Sequence, residues 1–527
     1  MNLVRSSLAL LAVLAVSAAL WAAGGGPAVA AEPGRAAIRY RIQVSVDDQA
    51  LEVEASLPVR QAQAILYIPV WTPGYYVKED YKKNVLGLRV QDEDGRALSV
   101  ADAGANRWTV TTQGARRLIV RYRLAATERS VSRDEVTPTY AVLNGSATYI
   151  TVKGGEPLSQ EVTLNLPKGW VSATGLRKIG SGAAPRFAAE SYEELVDSPI
   201  LAGDLEILDF TSKGTPHQIA YNRGAVAIDK ARVAADLKTM VDATRGFWGE
   251  KPWRGYAFLI AFRTKTGGGL EHRHSTFVNV NPERFATPAG YSAFVALLAH
   301  EYQHAFNVKR LRPVELGPFD YETPPTVSTL WISEGLTSYY SNLMLRRGGL
   351  IDTERYLAML SRQITALQTS PGRLKQSLEQ SSQGVWSNSL SGVGASDATV
   401  SYYVKGEVAG FLLDAHIRKL SDGKASLDDV MRQAYRRYGG KTGFRPEQFT
   451  AVAETVAGHP LQPWFAAAIG APGELDYAEA LDWYGLDLTR TETPDGPKFA
   501  LSVAPDADAA QTARRRAWLG TERLNAL

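Results

Sequence analysis

The 527-residue sequence contains no cysteine, so no disulfide can staple it and no lipid can be attached through a thiol. Blocks of like charge are also missing, apart from Arg514, Arg515 and Arg516 near the end, and the formal net charge is only +3. Nucleic acid is therefore not an expected partner, and the arginine run is read as a solvated helix face. Beyond residue 31 no stretch is apolar enough to cross a bilayer, which takes roughly 20 residues. No repeat at a solenoid period is evident. What is present is ordinary for a globular protein: 45% of residues are apolar and 21% charged, enough for real packed cores. At this length the expectation is roughly two to four domains.

The start of the chain carries an address. Met1 to Arg5 are weakly basic, Leu8 to Leu20 are apolar and uncharged, and Ala28-Val29-Ala30 offers small residues for cleavage. Residues 1–31 are read as a secretory leader of bacterial type, cut near Ala30 or Ala31, with the periplasm or the medium as destination; the alternative is an uncleaved membrane anchor, for which the apolar core falls short of the ~20 residues of a span. An exported chain without disulfides must rest on its cores or on metal.

From Ala37 to about Leu208 the pattern is that of strands. Ile38 to Val46 alternates, as does Arg117 to Leu124, and Tyr149 to Val152 is a β-branched run. Trp71-Thr72-Pro73-Gly74-Tyr75-Tyr76 is read as a packed corner turned by Pro-Gly. Strand character continues through Tyr256 to Phe262 and Thr276 to Val280. After Pro288 helices take over: Tyr291 to Val308, Leu330 to Arg346, Thr353 to Leu367, Val400 to Leu420 and Leu427 to Tyr438. Val452 to Ile469 is helical too, with a break at Gly458-His459-Pro460. Gln376 to Thr399 is a long polar loop of the kind that rims sites.

The decisive segment is His300-Glu301-Tyr302-Gln303-His304, preceded by the apolar Phe294 to Ala299. Residues four apart on a helix lie one above the other, so both imidazoles leave from one face and can reach one Zn²⁺. Glu301 lies about a quarter turn away, where its carboxylate can take a proton from water polarised by the metal and pass it to a leaving amine. With seven histidines in 527 residues, chance gives roughly 0.005 occurrences of this pattern. The bland alternative is a pair of core histidines.

A catalytic zinc needs a third protein ligand and one open position. Glu334 in Trp331-Ile332-Ser333-Glu334-Gly335 is the candidate, because a carboxylate in an apolar helix is expensive to bury unless a metal pairs it. It follows His304 by thirty positions (334 − 304), enough for a loop and a return helix. Asn307, on the stripe of the two histidines, and Thr337 and Ser338, one turn beyond Glu334, are candidates to support the ligands. The Asp that some thermolysin-like enzymes carry at the position of Ser338 is absent, which leaves the orientation of the histidines unassigned.

His300 to Pro313 and Trp331 to Tyr340, with the Trp71 to Tyr76 corner and Asn84-Val85, resemble the glycyl aminopeptidase family of the gluzincin clan. The resemblance covers roughly residues 36 to 480. It implies a β-domain leading into a thermolysin-like catalytic domain and then helices. It further implies that Gly268-Gly269-Leu270-Glu271-His272 is the clan's exopeptidase strand, with Gly268, Gly269 and Glu271 at the substrate and Glu271 on its free amine. Tyr403-Val404-Lys405-Gly406 is similar to the segment whose phenol steadies the oxyanion, with Tyr402 as the neighbour that could be confused with it. Many members end in a PDZ domain; the fifty or so residues after Asp476 are too few for one.

The expected architecture is α+β and multidomain. An N-terminal all-β domain (32–208) leads into a thermolysin-like zinc domain (209–346), a helical domain (347–480) and a short tail (481–527) with a helix at Gln511 to Leu519. The expected function is a zinc aminopeptidase removing a small residue from peptides. An endopeptidase and a silent peptide-binding scaffold are the alternatives. The oligomeric state is not legible.

Overall fold

The computed structural model describes residues 37–249, 252–386 and 396–521. The leader read at residues 1–31, and residues 387–395 of the polar loop, lie outside them.

The first unit is built from strands. Ile38–Ser45 turns alternate side chains inward and outward, so one face is core and the other is wet. It lies in a seven-stranded sheet that runs Arg177–Lys178, Arg186–Ala189, Gln160–Asn165, Ile38–Ser45, Ala50–Pro58, Arg117–Ala125, Val85–Gln91. Its pairing is parallel to Gln160–Asn165 and antiparallel to Ala50–Pro58. Two four-stranded sheets complete the unit. The β-branched run ending at Val152 yields only the strand Thr151–Val152, because the helical turn Gly145–Thr148 precedes it.

Leu205–Ser212, which straddles the expected boundary at residue 208, pairs with Thr215–Asn222 and opens a fourth sheet, of five strands. Next come Tyr256–Phe262 and Ser275–Val280, parallel and buried on both faces, which is why they read as nearly continuous apolar runs. The antiparallel strand Gly268–Glu271 forms the edge. Between the second and third strands lies a helix absent from the sequence reading, Lys230–Trp248. The Asp229 side chain caps its start and Gly249, at φ 76°, ends it in the left-handed region where glycine is unstrained.

The helices follow with corrected bounds. The histidine helix runs Pro288–His304, not Tyr291 to Val308: Thr287 caps it and Pro288 fills its first turn. The next is not a uniform α-helix: Trp331–Gly335 is a π-helical turn, continued by Leu336–Arg347. Thr353–Gln368, Tyr402–Leu420 and Leu427–Tyr438 agree with the pattern within a few residues. Pro446–Ala457 stops at Gly458 as the break predicts. The polar loop contains a helix, Leu378–Gln383, started by a Ser377–Gln380 capping box. In the tail, a hairpin, Leu486–Thr493 with Gly496–Val503, precedes the helix Ala509–Leu519.

One hydrophobic core runs from the five-stranded sheet through all the later helices to Trp518, while the first unit has its own. Helices beyond residue 347 therefore share the interior of the zone that carries the histidines. Among the described residues no helix is long and apolar enough to cross a membrane.

Candidate active site

The histidine helix ends on its second imidazole. Val308 and Lys309 both donate their backbone N–H to the His304 carbonyl, so the chain leaves the helix in a tight turn. Asn307 thus sits in that turn, not on a helical stripe. It still supports the histidine: its carbonyl accepts from His304 Nδ1 at 2.8 Å, which points Nε2 forward. The Asn307 amide donates to Ile332 O (2.8 Å) and Thr337 Oγ1 (3.0 Å), tying this turn to the π-helical segment.

That segment presents Glu334. Its Oε2 lies 3.1 Å from His304 Nε2 and 3.5 Å from His300 Nε2, and the two Nε2 atoms are 2.9 Å apart. The three ligating atoms lie within 4.8 Å of one another and could hold a metal ion. The donor set, two imidazoles and one carboxylate, suits a divalent zinc-type cation with a vertex left over. Ser338 Oγ lies 3.4 Å from His300 Nδ1, so a hydroxyl stands where some thermolysin-like enzymes carry an aspartate.

Glycines allow the close approaches. A Cβ on Gly335 would fall 2.5 Å from Gly406 Cα, so the π-helical turn and the helix Tyr402–Leu420 meet backbone to backbone. The crossing brings Tyr403 to the site, its ring 6.1 Å from that of His300 and inclined to it by 29°. Tyr402 is buried behind, stacked on Tyr403 at 5.0 Å. Lys405 Nζ turns away to donate to the Gly473 carbonyl.

Glu301 and Glu271 complete the cluster. A Cβ on Gly269 would stand 2.5 Å from Glu301 Cδ, so the edge strand is bare where the carboxylate lies against it. Gly268, at φ 99°, has open space around it and borders a cavity of about 470 Å³ that reaches Leu297 on the histidine helix. Burial pushes the Glu301 carboxyl up to about 8; His304 opposes this, and the Glu271 and Glu334 carboxylates add to it. Burial likewise raises Glu271 against the pull of His304 and Lys309. For Glu334 burial is overcome by His304 and His300, and its carboxyl is held low. Three buried carboxyl groups converge on two imidazoles, and the upward shifts of Glu301 and Glu271 mark a crowded acidic cluster whose charge a divalent cation would balance.

The first unit also reaches the site, which the sequence reading did not foresee. Thr72 to Tyr75 form a tight turn with Gly74 at φ 96°, and a Cβ on Gly74 would fall 2.6 Å from Glu271 Oε2. The corner is packed, as read: Trp71 is fully buried against Phe319 and Trp386 and donates its Nε1–H to the Asp320 carbonyl. It is packed against the active-site residues as well. Asp197, also from the first unit, accepts from Lys309 Nζ (2.9 Å) and from the Arg273 backbone N–H (2.7 Å). Burial would raise the Asp197 carboxyl, but Lys309 and His272 hold it well below the usual carboxylate range. Gly74 offered a detectable signal as the glycine of a Pro-Gly turn; Asp197 offered none.

Comparison with known proteins agrees with this geometry. Residues 39–204 match the peptidase M61 N-terminal domain, and residues 293–409 match M61 glycyl aminopeptidase. No curated protein matches the chain significantly. Among solved structures, an aminopeptidase N family protein from Idiomarina loihiensis superposes with a TM-score of 0.83 at 26% identity, over 90% of this chain and 82% of that one. An M1 zinc metallopeptidase from Deinococcus radiodurans gives 0.51 at 13% identity, over 83% and 95%. Leukotriene A4 hydrolase from Saccharomyces cerevisiae gives 0.53 at 14%, over 85% and 70%. The last two show a shared fold: a β-rich first domain, a thermolysin-like catalytic domain and helices.

Proposed function

Since the chain belongs to the M61 glycyl aminopeptidase family of peptidases, we propose that it is an exported zinc aminopeptidase that removes a small first residue, glycine or alanine, from peptides. The observation that carries this reading is Glu271. It is 3% exposed on an edge strand, beside the His300–His304–Glu334 cluster, and its Oε1 has no partner among the described residues. A buried carboxylate at such a place is matched by an ammonium, which fixes cleavage one residue in from a free amino terminus.

His300, His304 and Glu334 would hold the zinc ion, which when bound would supply the positive charge that polarises a scissile carbonyl and acidifies water. Glu301, against bare Gly269, takes the proton of that water and hands it to the leaving amine. The Tyr403 phenol donates to the oxygen on which charge develops. Peptide extends along the edge strand past Gly269 and Gly268, which carry no side chains of their own, and the space around Gly268 is open. The preference for small residues rests on family membership.

The test is hydrolysis of glycyl and alanyl p-nitroanilides beside their N-acetylated forms, with and without a chelator. Turnover confined to the free amines, lost on chelation and restored by zinc, is the expected result. Equal cleavage of blocked substrates would replace this reading with that of an endopeptidase. No turnover by the zinc-loaded protein on any peptide would leave a silent scaffold.

A further inference from the structure

The geometry points to Tyr76, in the first unit, as a substrate-binding residue whose hydroxyl shares the α-ammonium of the peptide with Glu271. This rests on the aminopeptidase reading and adds to it a contact from the β-domain. Tyr76 is 6% exposed, and its hydroxyl oxygen, fully buried, has no hydrogen-bond partner among the described residues. Most buried phenols of this unit are engaged: Tyr40 donates to the Ile150 carbonyl, Tyr122 to that of Thr148 and Tyr192 to that of Tyr149, while Tyr149, which shares the lack of a partner, lies in the β-core away from the site. A lone buried hydroxyl is costly, and such groups call for an explanation.

Its surroundings supply one. Two residues earlier Gly74 lies against the Glu271 carboxylate, so the turn delivers Tyr76 to the same pocket. The ring is held edge-on to Trp386, 5.8 Å away, and Trp386 is pinned by its Nε1–H on the Pro325 carbonyl. Apart from burial, the groups that act on the phenol are Glu334, Glu271 and Tyr402, all of them at the active site. A rigid ring thus holds an unpartnered acceptor oxygen within electrostatic reach of two carboxylates. An ammonium has three N–H donors, and Glu271 alone does not use them all. The phenol oxygen accepts one of the remainder. A neutral acceptor does this without adding a fourth negative charge to the cluster.

Tyr76→Phe in the full-length zinc-loaded protein tests the assignment, with Glu271→Gln made in parallel. The readouts are kcat and KM on alanyl p-nitroanilide, zinc content, melting temperature, and inhibition by glycine hydroxamate against acetohydroxamate, which lacks the amine. Tyr76→Phe should raise KM about tenfold and change kcat less than threefold. It should weaken glycine hydroxamate while sparing acetohydroxamate, and leave zinc content unchanged. The melting temperature should hold or rise, since the lost hydroxyl has no partner in the free protein. A purely structural role would move both inhibitors and lower the melting temperature, and that outcome overturns the assignment. So does a fall in kcat at constant KM, which would place the hydroxyl on the transition state. If Glu271→Gln loses the amine preference and Tyr76→Phe keeps it, Tyr76 alone is dismissed. If neither variant alters that preference, the aminopeptidase reading falls with it.

Discussion

Gly335 and Gly406 touch backbone to backbone: a Cβ on the first would lie 2.5 Å from the Cα of the second, and one on the second 2.9 Å from the Cα of the first. This contact sets how near Glu334, one residue before Gly335, stands to Tyr403, three before Gly406. Gly335→Ala should push the two segments apart. We expect a loss of about 1–3 kcal/mol in stability from overpacking, and weaker metal retention. Thermal melts with and without zinc would show it, and an unchanged zinc affinity would free Glu334 from dependence on the crossing.

Glu301→Gln keeps the shape of a side chain that ligates nothing. Zinc content should stay at wild-type level while kcat falls by about 10²–10⁴-fold, the usual contribution of a general base. Elemental analysis beside kinetics separates this from metal loss.

Ser338 stands 3.4 Å from His300 Nδ1. Ser338→Ala should weaken zinc binding about tenfold in competition with a chelator, the lower end of the cost of losing a ligand's outer partner. Affinity equal to wild type would mean that His300 is oriented by packing alone.

Asp197 neutralises Lys309, which is only 8% exposed and also feels Glu271. Asp197→Asn leaves that ammonium without its nearest carboxylate, at a cost of about 3–5 kcal/mol in stability. The lysine would then turn its charge on Glu271 and compete with the substrate amine. A raised KM for free-amine substrates, with less change in kcat, is the expected signature.

Glu407, 2% exposed within the helix Tyr402–Leu420, accepts from the Asn342 amide. Burial pushes its carboxyl up from 4.5 to about 7, so the folded state prefers the protonated form. The stability this confers is complete below the unfolded value near 4.5 and is lost as pH rises through about 7. Glu407→Gln should therefore melt at a temperature less sensitive to pH between 5 and 8, and should exceed the parent at pH 8. A parallel pH dependence in parent and variant would remove Glu407 as the source.

The metal cluster was legible because its chemistry is local. The spacing of His300 and His304 needs only helical geometry, and a carboxylate amid Trp331 and Ile332 is conspicuous in an apolar run. The π-helical turn under Glu334 was not legible, since its extra residue leaves no mark on the hydrophobic pattern. The stripe of Val233, Leu237, Met240, Val241 and Thr244 has helical spacing and is buried in Lys230–Trp248. It lies between strand-like segments, whose texture hides it. Thr493-Pro494-Asp495-Gly496 carries a turn signal for the tail hairpin that the reading passed over. Gly74, Tyr76 and Asp197 act on residues from 76 to more than 300 positions away in sequence, and contacts of that kind follow from chain topology, which no periodicity encodes.

The chain leaves the histidine helix, runs back to lay Phe319, Asp320 and Tyr321 on the first unit beside Trp71, and only then returns with Glu334. The two halves of the metal cluster are thus sewn together through a third party. Any strain that pries Trp71 loose pulls on the connector between His304 and Glu334. Docking of the β-domain and assembly of the cluster are therefore expected to be coupled, and a fragment beginning after residue 208 would keep the ligands without the surface on which their connector rests.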